Sequence, residues 1–202
     1  MYLPEAFRIE DSTTILEVLR ANSFAILVSN SSSGLTATHL PLLVDSEEPL
    51  VLAGHVSKAN PHWRSFDGDT DVMAIFSGPH TYVSPSLYVT RPNVPTWNYV
   101  TVHAYGRPAL VGDSQEKLRH LQAALAFYDP HLRDSQPESV SDEYLESRLG
   151  GLVAFKMQVT RLEAKGKLNQ NKSEADRLAV RDHLAQSEAA ELRQMAEFMT
   201  RS

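Results

Sequence analysis

The stretch Gly54-His55-Val56-Ser57-Lys58-Ala59-Asn60-Pro61-His62-Trp63-Arg64 governs how the rest of the chain is read, because it carries a strand end through a short polar turn into a helix. Ser57 offers a hydroxyl and Lys58 an ammonium. Asn60 followed by Pro61 has the form of an N-cap with proline at the first helical position, which aims backbone N–H groups outward. A mononucleotide phosphate suits such a corner. The competing reading is purely structural: Asn60 caps a helix, Lys58 is solvated and Trp63 belongs to the core.

The flanking segments place this corner in a β-rich chain. Leu50 to His55 reads as a strand, preceded by Phe24 to Ser29 and Leu35 to Val44, which pair as a hairpin across the turn chemistry of Asn30-Ser31-Ser32-Ser33-Gly34. A helix capped by Asp11 or Ser12 runs to about Asn22, with Glu17 three residues after Thr14 as in a capping box. After a short helix near Pro61 to Phe66, Asp67-Gly68-Asp69 turns the chain into an apolar strand, Asp71 to Ser77, and Trp97 to Val111 reads as another. Pro41 and Pro108 each remove a ladder donor, so those strands should lie at edges, bend or end there.

Ser114 to Phe127 has Leu118, Leu121 and Leu125 on one helical face, and a weaker helix spans Ser141 to Leu149. Gly150-Gly151 opens a long strand, Leu152 to Leu162, and the end from Ser173 is helical with an interruption near Gln186-Ser187. Many strands joined mostly by short turns, with few helices, predict a mainly β fold with flanking helices: one barrel domain with a C-terminal helical extension from about residue 173.

Composition narrows the function. The 202 residues are 42% hydrophobic, and 25 acidic against 19 basic residues give a net charge of −6, which disfavours a polyanionic partner. Direct DNA binding is therefore doubtful. The absence of cysteine removes disulfides, thiolate metal sites and cysteine nucleophiles from consideration. No signal-like start and no apolar run of membrane length is seen, which predicts a cytoplasmic protein. The fingerprints of dinucleotide folds, P-loops, α/β-hydrolases and zincins are missing, the eight histidines show no metal-ligand spacing, and no catalytic residue stands out.

Of those histidines, His39, His55 and His103 read as strand residues, while His62, His80 and His131 lie in polar surroundings away from the core. The dense basic run from Arg161 through Lys165, Lys167 and Lys172 lies between a strand and a helix. It reads equally as a phosphate-facing segment or as a solvated loop.

Taken together, several motifs resemble the PaiB family: Thr38-His39-Leu40-Pro41-Leu42, the Gly54-His55 corner with Trp63, Tyr82 with Ser84-Pro85-Ser86, Val94-Pro95-Thr96-Trp97-Asn98-Tyr99, and Leu162-Glu163-Ala164-Lys165 with Lys167-Leu168 and Gln170-Asn171. The match in order and spacing covers essentially the whole chain. It implies an FMN-binding split β-barrel, usually a homodimer with flavin sites at the subunit interface, in a family described as negative transcriptional regulators of protease synthesis and sporulation. In the wider superfamily the position of Ser57 and Lys58 holds the FMN phosphate. By the same resemblance Thr38 and His39 lie along the flavin edge, and Tyr82, Ser84, Trp97 and Asn98 line its ring or ribityl chain. His55, Asn60, Trp63, Lys165, Lys167 and Gln170 complete the implied cofactor set. The chain departs from the family pattern at Leu87, commonly tryptophan, and at Asn169, commonly serine. A flavin-dependent oxidoreductase and a haem-binding split barrel are the alternative readings.

Overall fold

In the computed structural model, which describes residues 1–31 and 34–201, the alternating segments become β1 (Phe24–Ser31), β2 (Gly34–Glu47), β3 (Leu50–Ser57), β4 (Val72–Val83), β5 (Thr96–Leu110) and β6 (Leu152–Lys167). They are hydrogen-bonded in the order β1-β2-β3-β6-β5-β4 and close into a barrel, which bears out the mainly β, split-barrel expectation. Ser32 and Ser33, the tip of the expected hairpin turn, lie outside the described residues.

Closure removes the edges that prolines were expected to need. Pairing of β2 with β1 runs to Phe24↔Pro41, and pairing with β3 begins at Leu42↔Gly54, so Pro41 sits where the strand passes from one neighbour to the other. Pro108 falls near the end of β5, as expected, with its carbonyl accepting from Gly68 N–H at 2.9 Å.

Contacts divide the chain into two compact units. The first comprises Ser23–Ile75 and Ala104–Arg161. Its core holds Leu27, Leu42, Leu52, Val56, Phe66, Phe155 and Met157, with the Phe66 and Phe155 rings 4.6 Å apart. Burying each such side chain stabilises by about 1.5–3 kcal/mol. Gly54 is required by this packing, because a Cβ there would lie 2.6 Å from Leu42 Cδ2 and 3.2 Å from Phe155 Cζ. The helices of this unit are α2 (Ser114–Tyr128), capped by Asp113, the four-residue α3 (Leu132–Ser135), and α4 (Asp142–Arg148), capped by Ser141.

The second unit comprises Met1–Asn22, Phe76–His103 and the chain from Leu162 onward. Its helices are α1 (Ser12–Ala21), α5 (Glu174–Ala185) and α6 (Ala190–Arg201), which contribute Val18, Leu19, Val180, Leu184, Met195 and Phe198 to the core. The break between α5 and α6 falls where Gln186-Ser187 interrupts the helical run. The α1 cap is Asp11, accepting from Thr14 N–H at 2.7 Å. Glu17 lies one turn too late for a capping box and instead pairs with Arg201 of α6 at 2.5 Å.

Strands β4 and β6 outrun their sequence reading furthest, each for a local reason. β4 continues through Gly78-Pro79 to Val83, because Gly78 lets the strand approach Val100 of β5 to where a Cβ would stand 3.1 Å from its carbonyl oxygen. β6 continues to Lys167 because its charged residues at 161, 163, 165 and 167 alternate with Leu162, Ala164 and Gly166, a period of two. The basic run is thus strand as far as Lys167, and only its end, through Lys172, is turn. Among the described residues no helix is long and apolar enough to cross a membrane, and no group of three metal-ligating side chains occurs.

Candidate functional site

The corner forms at the end of β3, held by backbone bonds. Lys58 N–H donates to the Gly151 carbonyl at 2.9 Å, and the Lys58 carbonyl accepts from Trp63 Nε1–H at 3.1 Å. The backbone of Lys58 is therefore fixed on both sides while its side chain is exposed. Ser57 Oγ accepts from Ala59 N–H at 3.3 Å and keeps its own proton to donate. Trp63 also carries the Arg64 guanidinium, 5.5 Å from its ring centroid. Among the described residues no carboxylate pairs with Lys58 or Arg64.

One part of the sequence reading does not survive. The expected helix after Pro61 is a five-residue 3₁₀ turn, Pro61–Ser65, and the Asn60 side chain already takes the His62 N–H at 3.0 Å. It offers no row of free amides, so the donors left for an anion are the Ser57 hydroxyl, the Lys58 ammonium and the Arg64 guanidinium. Groups of these types are ones that hold phosphate by charge-assisted hydrogen bonding.

His62, expected outside the core, is buried at 3% exposure because its ring is bonded at both nitrogens. Thr38 Oγ1 lies 2.8 Å from Nδ1 and Ser29 Oγ 2.8 Å from Nε2, while Asn60 Nδ2–H donates to Thr38 Oγ1 at 3.1 Å. Ser65 Oγ–H donates to the His62 carbonyl at 2.8 Å and stands 3.2 Å from Ser29 Oγ. The Asn60 and Ser65 protons are directed into this cluster, at Thr38 Oγ1 and Ser29 Oγ, and burial lowers the His62 pKa, which favours the neutral ring. The cluster borders a cleft of about 300 Å³ that Thr36 and Arg64 also line.

The other residues of this unit go elsewhere. His39 is exposed beside Phe24, with ring centroids 6.2 Å apart. His55 meets His120 of α2, with Nδ1 to Nε2 at 3.0 Å. Nothing in sequence marks that pair, since its members are 65 residues apart and His120 merely follows the apolar helical face.

In the second unit the expected aromatics come together. Trp97 stacks on His80 at 5.9 Å and meets the edge of Tyr82 at 6.3 Å, and Trp97 and Tyr82 are each about half exposed. His80 is exposed as expected, with Nδ1 2.9 Å from Glu191 Oε1. Ser84 caps the turn Pro85–Leu87 by accepting from Ser86 N–H at 3.2 Å.

Asn98 is fully buried. Its Nδ2 lies 3.7 Å from Met199 Sδ, and its Oδ1 has no hydrogen-bond partner among the described residues. Lys165 is buried too, donating to the Tyr2 carbonyl at 3.0 Å with the Tyr2, Phe7 and Tyr99 rings about it. Lys167 Nζ donates to Thr96 Oγ1, and Gln170 ties down the end of β6 by donating to the Gly166 carbonyl at 2.6 Å and accepting from Leu168 N–H at 2.7 Å. Asn169 adopts a φ of 66°, a left-handed conformation that Asn tolerates, and donates to Tyr88 Oη at 3.2 Å. Asp176 takes Val89 N–H, Thr90 N–H and Thr90 Oγ1–H at 2.7–2.9 Å, which anchors the segment between β4 and β5 and lowers its carboxyl pKa to about 2.

Comparison with known proteins places this geometry. Residues 1–161 match the family described as "Putative FMN-binding domain". The chain is 38% identical over 202 residues to the Bacillus subtilis protease synthase and sporulation protein PAI 2, covering 98% of this chain and 96% of that one. Among solved structures, the FAD and heme binding protein of Mycobacterium smegmatis superposes with a TM-score of 0.63 at 12% identity over 85% of this chain and 78% of that one. The flavocytochrome Anf3 of Azotobacter vinelandii superposes with a TM-score of 0.60 at 16% identity, over 84% and 74%. At those identities the two structures share the fold alone.

Proposed function

The chain belongs to the PaiB-type family of FMN-binding domains, and on that premise we propose that it holds the FMN phosphate at the end of β3, through Ser57 Oγ–H and Lys58 Nζ, with Arg64 as a further cation. The observation that carries this reading is the Lys58 ammonium itself. It is exposed, free of any carboxylate among the described residues, and mounted on a backbone bonded at both its N–H and its carbonyl. Fixing the backbone that carries the charge before binding removes part of the entropic cost of capturing a dianion. Bound FMN supplies the electron chemistry of its isoalloxazine, and the protein's part is to bind it, orient it and exclude water.

Tyr82 and Trp97, in mutual contact and each about half exposed, present aromatic surface whose burial would favour a homodimer, and Val89 and Val94 are exposed apolar side chains of the same unit. A regulatory role of the PaiB kind is the cellular counterpart of this reading. It operates without direct DNA contact, because the basic residues of β6 and the turn after it are engaged internally. Lys165 is buried, Lys167 bonds Thr96, and Lys172 donates to Asn93 Oδ1 at 2.6 Å. The test is titration of the purified chain with FMN, read as flavin fluorescence quenching and a rise in melting temperature. If saturating FMN leaves both unchanged, the proposal is wrong.

A further inference from the structure

His62 is not among the residues that the family resemblance assigns to the cofactor, yet it is the buried side chain of the turn that joins Lys58 to Arg64. A five-residue 3₁₀ turn has too few internal hydrogen bonds to hold its own geometry, so its seat on the rest of the unit decides where its side chains point. That seat is polar. Nδ1 of His62 lies 2.8 Å from Thr38 Oγ1 of β2 and Nε2 lies 2.8 Å from Ser29 Oγ of β1, while the ring packs 5.1 Å from Phe66. Asn60 reinforces the attachment, accepting from His62 N–H at 3.0 Å and donating to Thr38 Oγ1 at 3.1 Å.

Trp63 carries this seat outward. At three residues per turn, successive side chains of a 3₁₀ segment diverge by about 120°, so fixing His62 on β1 and β2 also fixes the directions in which Trp63 and Arg64 leave the turn. The half-buried indole then meets both cationic residues. Its Nε1–H donates to the Lys58 carbonyl at 3.1 Å, and its ring centroid lies 5.5 Å from the Arg64 guanidinium. Two strands, one buried imidazole and one indole thus form a continuous path to the two cations of the corner.

We propose that His62 is a positioning residue for the phosphate corner. By holding the Pro61–Ser65 turn on β1 and β2 it sets, through Trp63, where the Lys58 and Arg64 cations stand, and it acts on the ligand only through them. The inference rests on the reading that this corner takes the FMN phosphate. A packing role alone would affect every ligand of the barrel alike, whereas positioning of the cations affects the phosphate.

The test is titration of the full chain with FMN and with riboflavin, which lacks the phosphate, for the wild type, Lys58→Ala and His62→Phe. Phenylalanine keeps a ring against Phe66 and strips both nitrogen contacts. His62→Phe should weaken FMN roughly 3- to 30-fold, the worth of one or two hydrogen bonds, and riboflavin less than about twofold. In a Lys58→Ala/Arg64→Ala background the same substitution should change FMN no more than riboflavin, because the groups it places are gone. Should His62→Phe not fold, Ser29→Ala, which keeps the imidazole and removes its Nε2 partner, decides, with an expected FMN loss of roughly 2- to 5-fold. Unchanged FMN affinity in the folded variant overturns the proposal, as do equal losses for FMN and riboflavin or an undiminished FMN loss in the background lacking both cations. If Lys58→Ala weakens FMN and the His62 variant does not, this inference alone falls. If Lys58→Ala leaves FMN affinity at the wild-type level, the phosphate reading falls and takes this inference with it.

Discussion

Lowering the pH from 7.5 to 5.0 should destabilise this protein through the His55–His120 pair. The His120 pKa is held near 4 in the folded chain, against 6.5 for an unperturbed imidazole, first by burial and then by its neighbour. Because the folded value is the lower one, the unfolded chain binds more protons between the two pKa values. Stability is thus at its full level above pH 6.5 and falls as the pH drops toward 4. With those values the linkage integral gives a loss of about 2 kcal/mol at pH 5.0 from His120 alone, and His55, lowered in the same direction, adds to it. Asp176 does not interfere, because its carboxyl titrates near 2 in the folded chain and at its ordinary value near 3.8 when unfolded. The assay is urea denaturation at both pH values for the wild type, His120→Gln and the double variant His55→Gln/His120→Gln. Each substitution will change stability at pH 7.5, so the informative quantity is the pH-dependent difference, which should shrink in His120→Gln and shrink further in the double variant. An unchanged pH dependence in the double variant would refute the argument, since the protons taken up on unfolding would then belong to other groups.

Three further outcomes follow from single contacts. Lys58→Ala should weaken FMN roughly 10- to 100-fold, the worth of one charge-assisted bond to phosphate, and leave riboflavin nearly unaffected; equal losses for both ligands in a titration would move the phosphate elsewhere. Gly106→Ala should cost on the order of 3 kcal/mol or prevent folding, because the new Cβ would lie 2.2 Å from the Gln158 backbone oxygen, and a wild-type urea midpoint would contradict that packing. Asp176→Asn should loosen the segment around Val89 and Thr90, whose N–H groups its carboxylate holds, so faster amide exchange there without global unfolding is expected; protection equal to wild type would mean the anchor lies elsewhere.

The sequence by itself determined the elements and their capping. Period-two alternation, turn residues and the caps at Asp11 and Ser173 are local signals, and each is readable within a few residues of where it acts. The Ser57-Lys58 corner was legible for the same reason. What only the tertiary structure decided depends on closing the barrel. Closure gave Pro41 a place without an edge, and it brought Thr38 and Ser29 of neighbouring strands onto the two nitrogens of His62, turning a polar loop residue into a buried one. Lys165 likewise reads as a solvated cation until the Tyr2 carbonyl and three aromatic rings are assembled around it. The His55–His120 contact joins residues 65 apart and exists only because α2 packs over β3. Burial of a polar group is set by partners distant in sequence, and no local pattern encodes which hydroxyl, carbonyl or ring will be there to meet it.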